Sequence, residues 1–113
     1  VLAAEHVERH LQLPPQMFSP RADYFLRVKG MSMRDAGILD GDVLVVDRAL
    51  KPRNSMVVVA VVDGEFTVKT FRTVAGRLRL QAANPAYPDI VPQEGQVLEV
   101  WGVVTAAIKR FVV

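Results

Sequence analysis

Ser32 is the first residue whose surroundings could support chemistry. It follows the alternating segment 24–29 and Gly30, at the start of a short helical turn predicted over residues 31–37. At such a position a hydroxyl can be exposed and backbone N–H groups lack helical partners, which suits a nucleophile beside an oxyanion hole. A serine that caps the helix is the ordinary alternative. Both histidines precede Ser32 and no Gly-x-Ser-x-Gly elbow surrounds it, so a Ser-His-Asp triad is not indicated.

Lys69 lies in the apolar second arm of a predicted β-hairpin, with Thr67 and Phe71 on its own face of the strand. On an edge strand such a lysine would simply face water. If it is buried instead, desolvation disfavours the ammonium, and lowering its pKa from about 10.4 to about 7 would take roughly 4 kcal/mol. A neutral lysine amine is a competent general base, so Lys69 is a candidate to accept the Ser32 proton and return it to a leaving amine.

Three other groups of residues have side chains suited to chemistry, and we interpret each as structural. His6 and His10 have metal-ligand spacing, but Val7 stands where a zinc peptidase has its glutamate. Four acidic residues do not follow the order of ligands in a calcium-binding loop, and we expect them to stabilise turns and helix caps; they are Asp35, Asp40, Asp42 and Asp47. Four aromatic residues are expected to pack in the hydrophobic core rather than to stack on nucleic-acid bases; they are Phe25, Phe66, Phe71 and Trp101. We therefore expect no metal and no cofactor.

The elements that must position these residues are predominantly β-strands. Strand patterns, separated by turn-forming pairs, occur at residues 24–29, 43–46, 56–62, 65–72, 77–80 and 97–111. Asp63-Gly64 between two apolar runs predicts a type I′ hairpin. Six or so short strands with little helix predict a mainly β fold, a small twisted barrel or sandwich.

The N-terminal stretch has a different pattern. Apolar and histidine residues recur every four positions through residue 11, which favours an amphipathic helix, and Pro14-Pro15 ends it.

Composition limits the possible functions. The chain has 113 residues, 50% hydrophobic and 23% charged, which predicts one folded domain rather than disorder. It has no cysteine, so thiol chemistry and disulfides are excluded. The net charge is +2 and the basic residues are scattered, so direct DNA binding is not predicted. Without a stretch of about 20 apolar residues or a signal-peptide pattern, we expect a cytoplasmic protein that does not contact a membrane.

Two blocks of sequence resemble a known family. YFLRVKGMSMRDAGILDGDVLVVDR (residues 24–48) and DGEFTVKTF (residues 63–71) are similar, in order and spacing, to the self-processing serine peptidases LexA and UmuD. The resemblance implies the small β fold that this family shares with signal peptidase. It also implies that Ser32 is the nucleophile, that Lys69 is the base, and that the backbone N–H groups of Met31 and Ser32 form the oxyanion hole.

Within the family, the leader LAAEHVERH followed by MFSPRADYFLRVKGMSM is more similar to LexA than to UmuD. The LexA resemblance implies the C-terminal autoproteolytic and dimerisation domain of an SOS-response repressor, which cuts its own upstream chain when a RecA filament on single-stranded DNA stimulates it. It further implies that the leader is an extended segment of the cleavage-site region rather than a helix, and that a homodimer forms through the C-terminal strand, from Val103 to Phe111. The alternative is an UmuD-like accessory subunit of a translesion DNA polymerase.

The sequence also departs from the family pattern. No Ala-Gly or Cys-Gly pair precedes Tyr24, so the usual scissile pair is absent, and no helix-turn-helix domain is present. We expect residues 1–22 to be a remnant of the cleavage-site region and linker, and residues 23–113 to be the catalytic core. Asn54-Ser55 replaces a turn where relatives tend to have glycine.

Two further alternatives make distinct predictions. Type I signal peptidase has a similar Ser-Met motif and lysine base, but Arg34-Asp35 replaces the proline expected nearby. A non-enzymatic β module would place Ser32 far from Lys69.

Overall fold

A computed structural model describes residues 4–7 and 23–112 of the chain. Its regular structure is nearly all β, as predicted, with one short 3-10 helix at Arg34–Ala36. The strands are β1 Ala4–Val7, β2 Tyr24–Val28, β3 Val43–Asp47, β4 Val57–Val62, β5 Glu65–Val74, β6 Arg77–Gln81 and β7 Leu98–Ile108. Within these described ranges, no helix is long and apolar enough to cross a membrane.

The described strands form one antiparallel sheet in the order β1-β2-β3-β7-β4-β5-β6. Its end strands, β1 and β6, are not hydrogen-bonded to each other, so these strands do not close into a barrel. The sheet nevertheless curls, since β1 at one end contacts β5, which is next to the strand at the other end. This curl brings the segment after β2, which carries Ser32, toward the strand that carries Lys69.

The leader is extended where it is described, and the helical periodicity there was misleading. β1 pairs antiparallel with β2, and Val7 lies opposite Leu26. Histidine and valine tolerate strands as well as helices, and pairing with an available sheet edge outweighs a weak helical pattern. The remaining part of the expected cleavage-site remnant, residues 8–22, lies outside the described residues.

The hairpin between β4 and β5 has the turn predicted from its Asp-Gly pair. Asp63 and Gly64 both have positive φ, 48° and 84°, as a type I′ turn requires. The register follows from this turn and places Val62 opposite Glu65 and Val58 opposite Lys69. A strictly local signal therefore determines which residue of β4 stands beside the candidate base.

β7 is the central strand and changes partners along its length. Its first half pairs with β4 and its second half with β3, and register shifts leave Trp101 and Thr105 as extra residues. Bulges of this kind bend a strand and increase its twist. At Gly102 an added Cβ would lie 2.5 Å from a side-chain atom of Val46, so β3 and β7 approach closely there.

The main core cluster lies behind the segment that follows β2. Its buried members are Leu26, Val28, Met33, Ile38, Leu44, Val46, Val59 and Val68. Met33 is only 1% exposed and packs into this cluster directly after Ser32. Burial of a methionine side chain contributes about 1.5–3 kcal/mol, which anchors an otherwise irregular loop against the sheet.

Candidate active site

Ser32 lies in the turn that joins β2 to the 3-10 helix. Gly30 has a φ of 93°, a left-handed conformation that glycine adopts without strain, and its N–H donates to Asp40 Oδ1 at 2.7 Å. The helix N-cap is Met33, with no side-chain capping bond, so the helix-cap interpretation of Ser32 is wrong. Ser32 is instead 1% exposed, with its hydroxyl directed toward β5.

Lys69 is buried, and the alternative of a lysine side chain facing water is wrong. It lies in β5 opposite Val58 of β4, one residue before the pairing of β5 with β6 begins at Thr70, and it is 2% exposed. Its Nζ donates to Ser32 Oγ at 3.1 Å, to Thr67 Oγ1 at 2.7 Å and to the Val68 carbonyl at 3.2 Å. The structure thus brings the two sequence-predicted side chains into direct hydrogen-bond contact.

Burial lowers the pKa of Lys69 from 10.5 to about 8. The direction agrees with the sequence-based expectation, and the cause is desolvation, which penalises the ammonium relative to the neutral amine. The oxygens of Ser32, Thr67 and Val68 that accept from Nζ are all neutral. A substantial fraction of the amine is therefore unprotonated near pH 8, and the unprotonated form can accept a proton.

The segment around Ser32 also presents backbone donors. Within residues 23–112, no hydrogen bond from the N–H groups of Met31 or Ser32 is found. Their carbonyls are engaged: Met31 O accepts from Arg34 N–H at 3.2 Å, and Ser32 O accepts from Ala83 N–H at 2.8 Å. The two N–H groups named from the family resemblance are thus available beside the Ser32 hydroxyl.

The loop after β6 forms hydrogen bonds with the turn that carries Ser32, and the sequence did not predict this contact. Asn84 is 7% exposed, and its Nδ2 donates to Met31 O at 2.9 Å. Asp35 N–H donates to Ala83 O at 2.7 Å. The Asn84-Pro85 pair predicted only a loop, and nothing local in it indicated contact with a turn more than 50 residues earlier.

Of the four acidic residues, Asp40, Asp42 and Asp47 accept from backbone N–H groups of turns, as predicted, whereas Asp35 pairs with the side chain of Arg34. Asp42 accepts from Leu39 N–H and pairs with Lys109, and Asp47 accepts from the N–H groups of Ala49 and Leu50. In the described part of the chain no cluster of three metal-ligating side chains occurs. His6 lies on β1, and His10 lies outside the described residues.

The aromatic residues pack together in or against the core, as predicted. Phe25 is 3% exposed. The Trp101 ring packs against Tyr24 in a tilted arrangement and against Phe66 edge to face, with ring centroids 4.9 and 5.4 Å away. Arg48 covers the Trp101 ring at 4.4 Å.

A mainly β fold that buries a lysine amine against a serine hydroxyl has the features of a serine hydrolase with lysine in the position of histidine. The family comparison agrees with this class. The chain belongs to the Peptidase S24-like family, whose model matches residues 1–105, and this is a family of self-cleaving serine peptidases.

Curated proteins with similar sequences indicate which branch of the family this chain resembles. The chain is 51% identical over 110 residues to a LexA repressor of Azoarcus sp. (strain BH72), covering 96% of this chain and 54% of that protein. It is 46% identical to a LexA repressor of Aromatoleum aromaticum and 44% identical to one of Proteus mirabilis, each covering 97% of this chain and 55% of the relative. The chain thus spans about half the length of these relatives. They favour the LexA branch over the UmuD-like alternative.

Proposed function

We propose that this chain is the autoproteolytic and dimerisation domain of a LexA-like repressor of the SOS response, in which Ser32 is the nucleophile and Lys69 the general base. The single observation that carries the proposal is the buried 3.1 Å contact between Lys69 Nζ and Ser32 Oγ. The lowered pKa of Lys69 supports it, because a base must be unprotonated to act. The family supplies the substrate class, a peptide bond in the protein's own upstream segment.

The reaction follows from the proton positions. With Lys69 neutral, its lone pair accepts the Ser32 proton as Oγ attacks the scissile carbonyl carbon. The N–H groups of Met31 and Ser32 stabilise the tetrahedral oxyanion. The Lys69 ammonium then donates its proton to the departing amine, leaving an acyl-enzyme. Lys69 next activates a water molecule, which hydrolyses the ester and restores Ser32. These steps use only the chain's own groups and water.

Two neighbours of Lys69 hold its nitrogen in line for these transfers. Thr67 Oγ1 and the Val68 carbonyl accept hydrogen bonds from Nζ and restrain its rotation. A long, flexible side chain would otherwise have to lose about 2 kcal/mol of rotamer entropy on reaching each productive position. Preorganisation of the amine therefore contributes to the proposed catalysis.

The domain organisation follows the family pattern. Residues 1–22 belong to the cleavage-site region and linker, residues 23–113 form the catalytic core, and a DNA-binding domain lies upstream in the whole repressor. A RecA filament on single-stranded DNA stimulates cleavage in the cytoplasm, which derepresses DNA-damage genes. The fragment itself does not bind DNA.

The proposed dimer forms through the C-terminal strand over residues 103–111. β7 ends at Ile108, and its last pair with β4 is at Val103. Beyond that pair, residues 106–108 are paired with β3 on one side and with no described strand on the other. An open strand edge of this kind can pair with the same edge of a second copy.

The decisive experiment restores an upstream segment with an Ala-Gly pair and follows self-cleavage from pH 6 to pH 10. We expect no product from Ser32→Ala or Lys69→Ala, and a parent rate that rises through about pH 8 as Lys69 loses its proton. Lys51→Ala, which alters an exposed lysine, should cut at the parent rate. Undiminished cleavage by either the Ser32 or the Lys69 variant would refute the assignment.

A further inference from the structure

Asn84 is a buried polar side chain that the proposed proton transfers do not use. It lies in the loop after β6 and makes one hydrogen bond through each end of its amide. Nδ2 donates to Met31 O at 2.9 Å, and Oδ1 accepts from Ala86 N–H at 2.9 Å. Because the Ala86 N–H can only donate, it determines which end of the amide is the oxygen, and therefore that a donor faces Met31.

The bond to Met31 O acts on an N–H group of the proposed oxyanion hole. The Met31 carbonyl and the Ser32 N–H belong to the same planar, trans peptide unit and point in opposite directions. A hydrogen bond that holds the carbonyl on one side therefore sets the direction of the N–H on the other. Asn84 restrains this peptide from the core side, while the Ser32 N–H remains available on the opposite side.

The neighbouring peptide is held in the same way. Ala83 N–H donates to Ser32 O at 2.8 Å, and Asp35 N–H donates to Ala83 O at 2.7 Å. Residues 83–84 therefore bind the turn at three points, two of them through backbone and one through a side chain. Only the side-chain contact can be removed by substitution without altering the backbone of the loop.

We propose that Asn84 is the positioning residue of the oxyanion hole, holding the Met31-Ser32 peptide so that the Ser32 N–H points at the developing oxyanion. The inference rests on the proposed function and deepens it. A preorganised donor acts mainly in the transition state, because the charge it stabilises is absent from the bound substrate. Asparagine suits the position, because it donates without placing a negative charge near the reaction.

The test uses the chain extended with the Ala-Gly segment and its Ser32→Ala form supplied separately as substrate, so that kcat and KM can be measured. Asn84→Ala removes both side-chain bonds. Asn84→Asp keeps an acceptor for Ala86 N–H but replaces the donor to Met31 O. Asn54→Asp is the matched control, because Asn54 is exposed and its Oδ1 accepts from Thr73 N–H, a bond that aspartate retains. All assays are run below the unfolding temperature of each variant.

We expect kcat to fall about 10- to 100-fold in both Asn84 variants with KM within twofold of the parent, since one misdirected oxyanion donor costs less than a deleted one. In Asn84→Ala the pH midpoint of kcat should stay at the parent value, because Lys69 is untouched. A peptide boronate, whose adduct with Ser32 fills the oxyanion position, should bind Asn84→Ala more weakly by the same factor as kcat falls. Asn54→Asp should behave as the parent.

Different results would overturn the inference. Parental kcat in Asn84→Asp would show that the Ala86 contact alone matters, and a fall in Asn84→Ala that comes with a shifted pH midpoint would place the effect at Lys69. Failure of the proposed function is distinguishable: the parent would be inert, or Ser32→Ala would still cleave, irrespective of residue 84.

Discussion

Lys69 places an ionisable amine among neutral oxygens in the interior of the sheet, and this has a thermodynamic consequence. Its pKa is about 8 in the folded chain, against 10.5 for an exposed lysine. Below about pH 8 the amine is protonated in both states, and the buried ammonium destabilises the fold by about 3 kcal/mol. The proposed catalytic base is therefore retained at the expense of stability.

The pH dependence of stability tests this directly. Between about pH 8 and pH 10.5 the unfolded chain binds more protons than the folded one at Lys69, so the free energy of unfolding should rise with pH across that window. Relative to Lys69→Met, which cannot titrate, the parent should gain about 3 kcal/mol between pH 7 and pH 10.5, measured by urea unfolding. The corresponding comparison with Lys51→Met should show no such change. If the difference in free energy of unfolding between the parent and Lys69→Met stays constant with pH, the pKa of Lys69 is not lowered by burial.

At the scale of residues, the sequence identified the two reacting side chains by different routes. The pattern around Lys69 showed an anomalous charge in an apolar strand, whereas pairing it with Ser32 required the family resemblance. Asn84 could not be found, because its importance depends on a contact with Met31 that only the folded chain creates. A turn-forming residue next to a proline has the same local pattern whether or not it supports a distant site.

At the scale of elements, the close packing of β7 beside β3 requires a glycine at position 102. Gly102 has no positive φ, so the requirement is one of space: a Cβ there would lie 2.5 Å from Cγ1 of the fully buried Val46. Overpacking of a filled core typically costs about 1–3 kcal/mol.

Gly102→Ala should therefore destabilise the chain by about 1–3 kcal/mol in urea unfolding. Val46→Ala in the same chain should relieve the contact, so that the double variant is more stable than the sum of the two single effects predicts. Strict additivity of the two substitutions would show that the cost of Gly102→Ala has another origin.

The hairpin turn offers a contrasting prediction at the same scale. Gly64 has a φ of 84° and nothing within 4 Å of an added Cβ, so only backbone strain opposes a side chain there. Gly64→Ala should cost about 1–2 kcal/mol, and no compensating core substitution should recover it. Equilibrium unfolding of Gly64→Ala with and without Val46→Ala measures this, and non-additivity in that pair would contradict the explanation.

Elements with local signals were predictable, and their arrangement was not. The Asp-Gly pair determined the β4–β5 turn and its register. Alternation located β2 and β6, and a continuous β-branched run located β3. The position of β7 between β3 and β4, together with its two bulges, depends on contacts between residues more than 35 positions apart. The leader was ambiguous for the same reason, since its partner strand decides its conformation.

At the scale of the whole molecule, the proposed dimer can be tested at Ala107, an exposed residue of β7 within the open edge. In a two-fold antiparallel pair, residues near the axis face their own copies, so like charges introduced there repel. Ala107→Glu should weaken self-association at least tenfold in analytical ultracentrifugation, and Ala107→Ser should leave it unchanged. Equal association of the two variants would place the dimer contact elsewhere.

The pairing of β1 with β2 has a consequence for the handling of the protein. β2 carries the apolar sequence YFLRV, and β1 occupies its outer edge. A bare edge of this kind presents unpaired N–H and C=O groups to any other extended chain, which promotes aggregation. Trimming the chain to residue 23, as a designer of a minimal peptidase core would do, should therefore yield a protein that precipitates on concentration although its Ser32 and Lys69 are intact. Residues 4–7 cover this edge of the sheet, and we expect solubility to depend on keeping them.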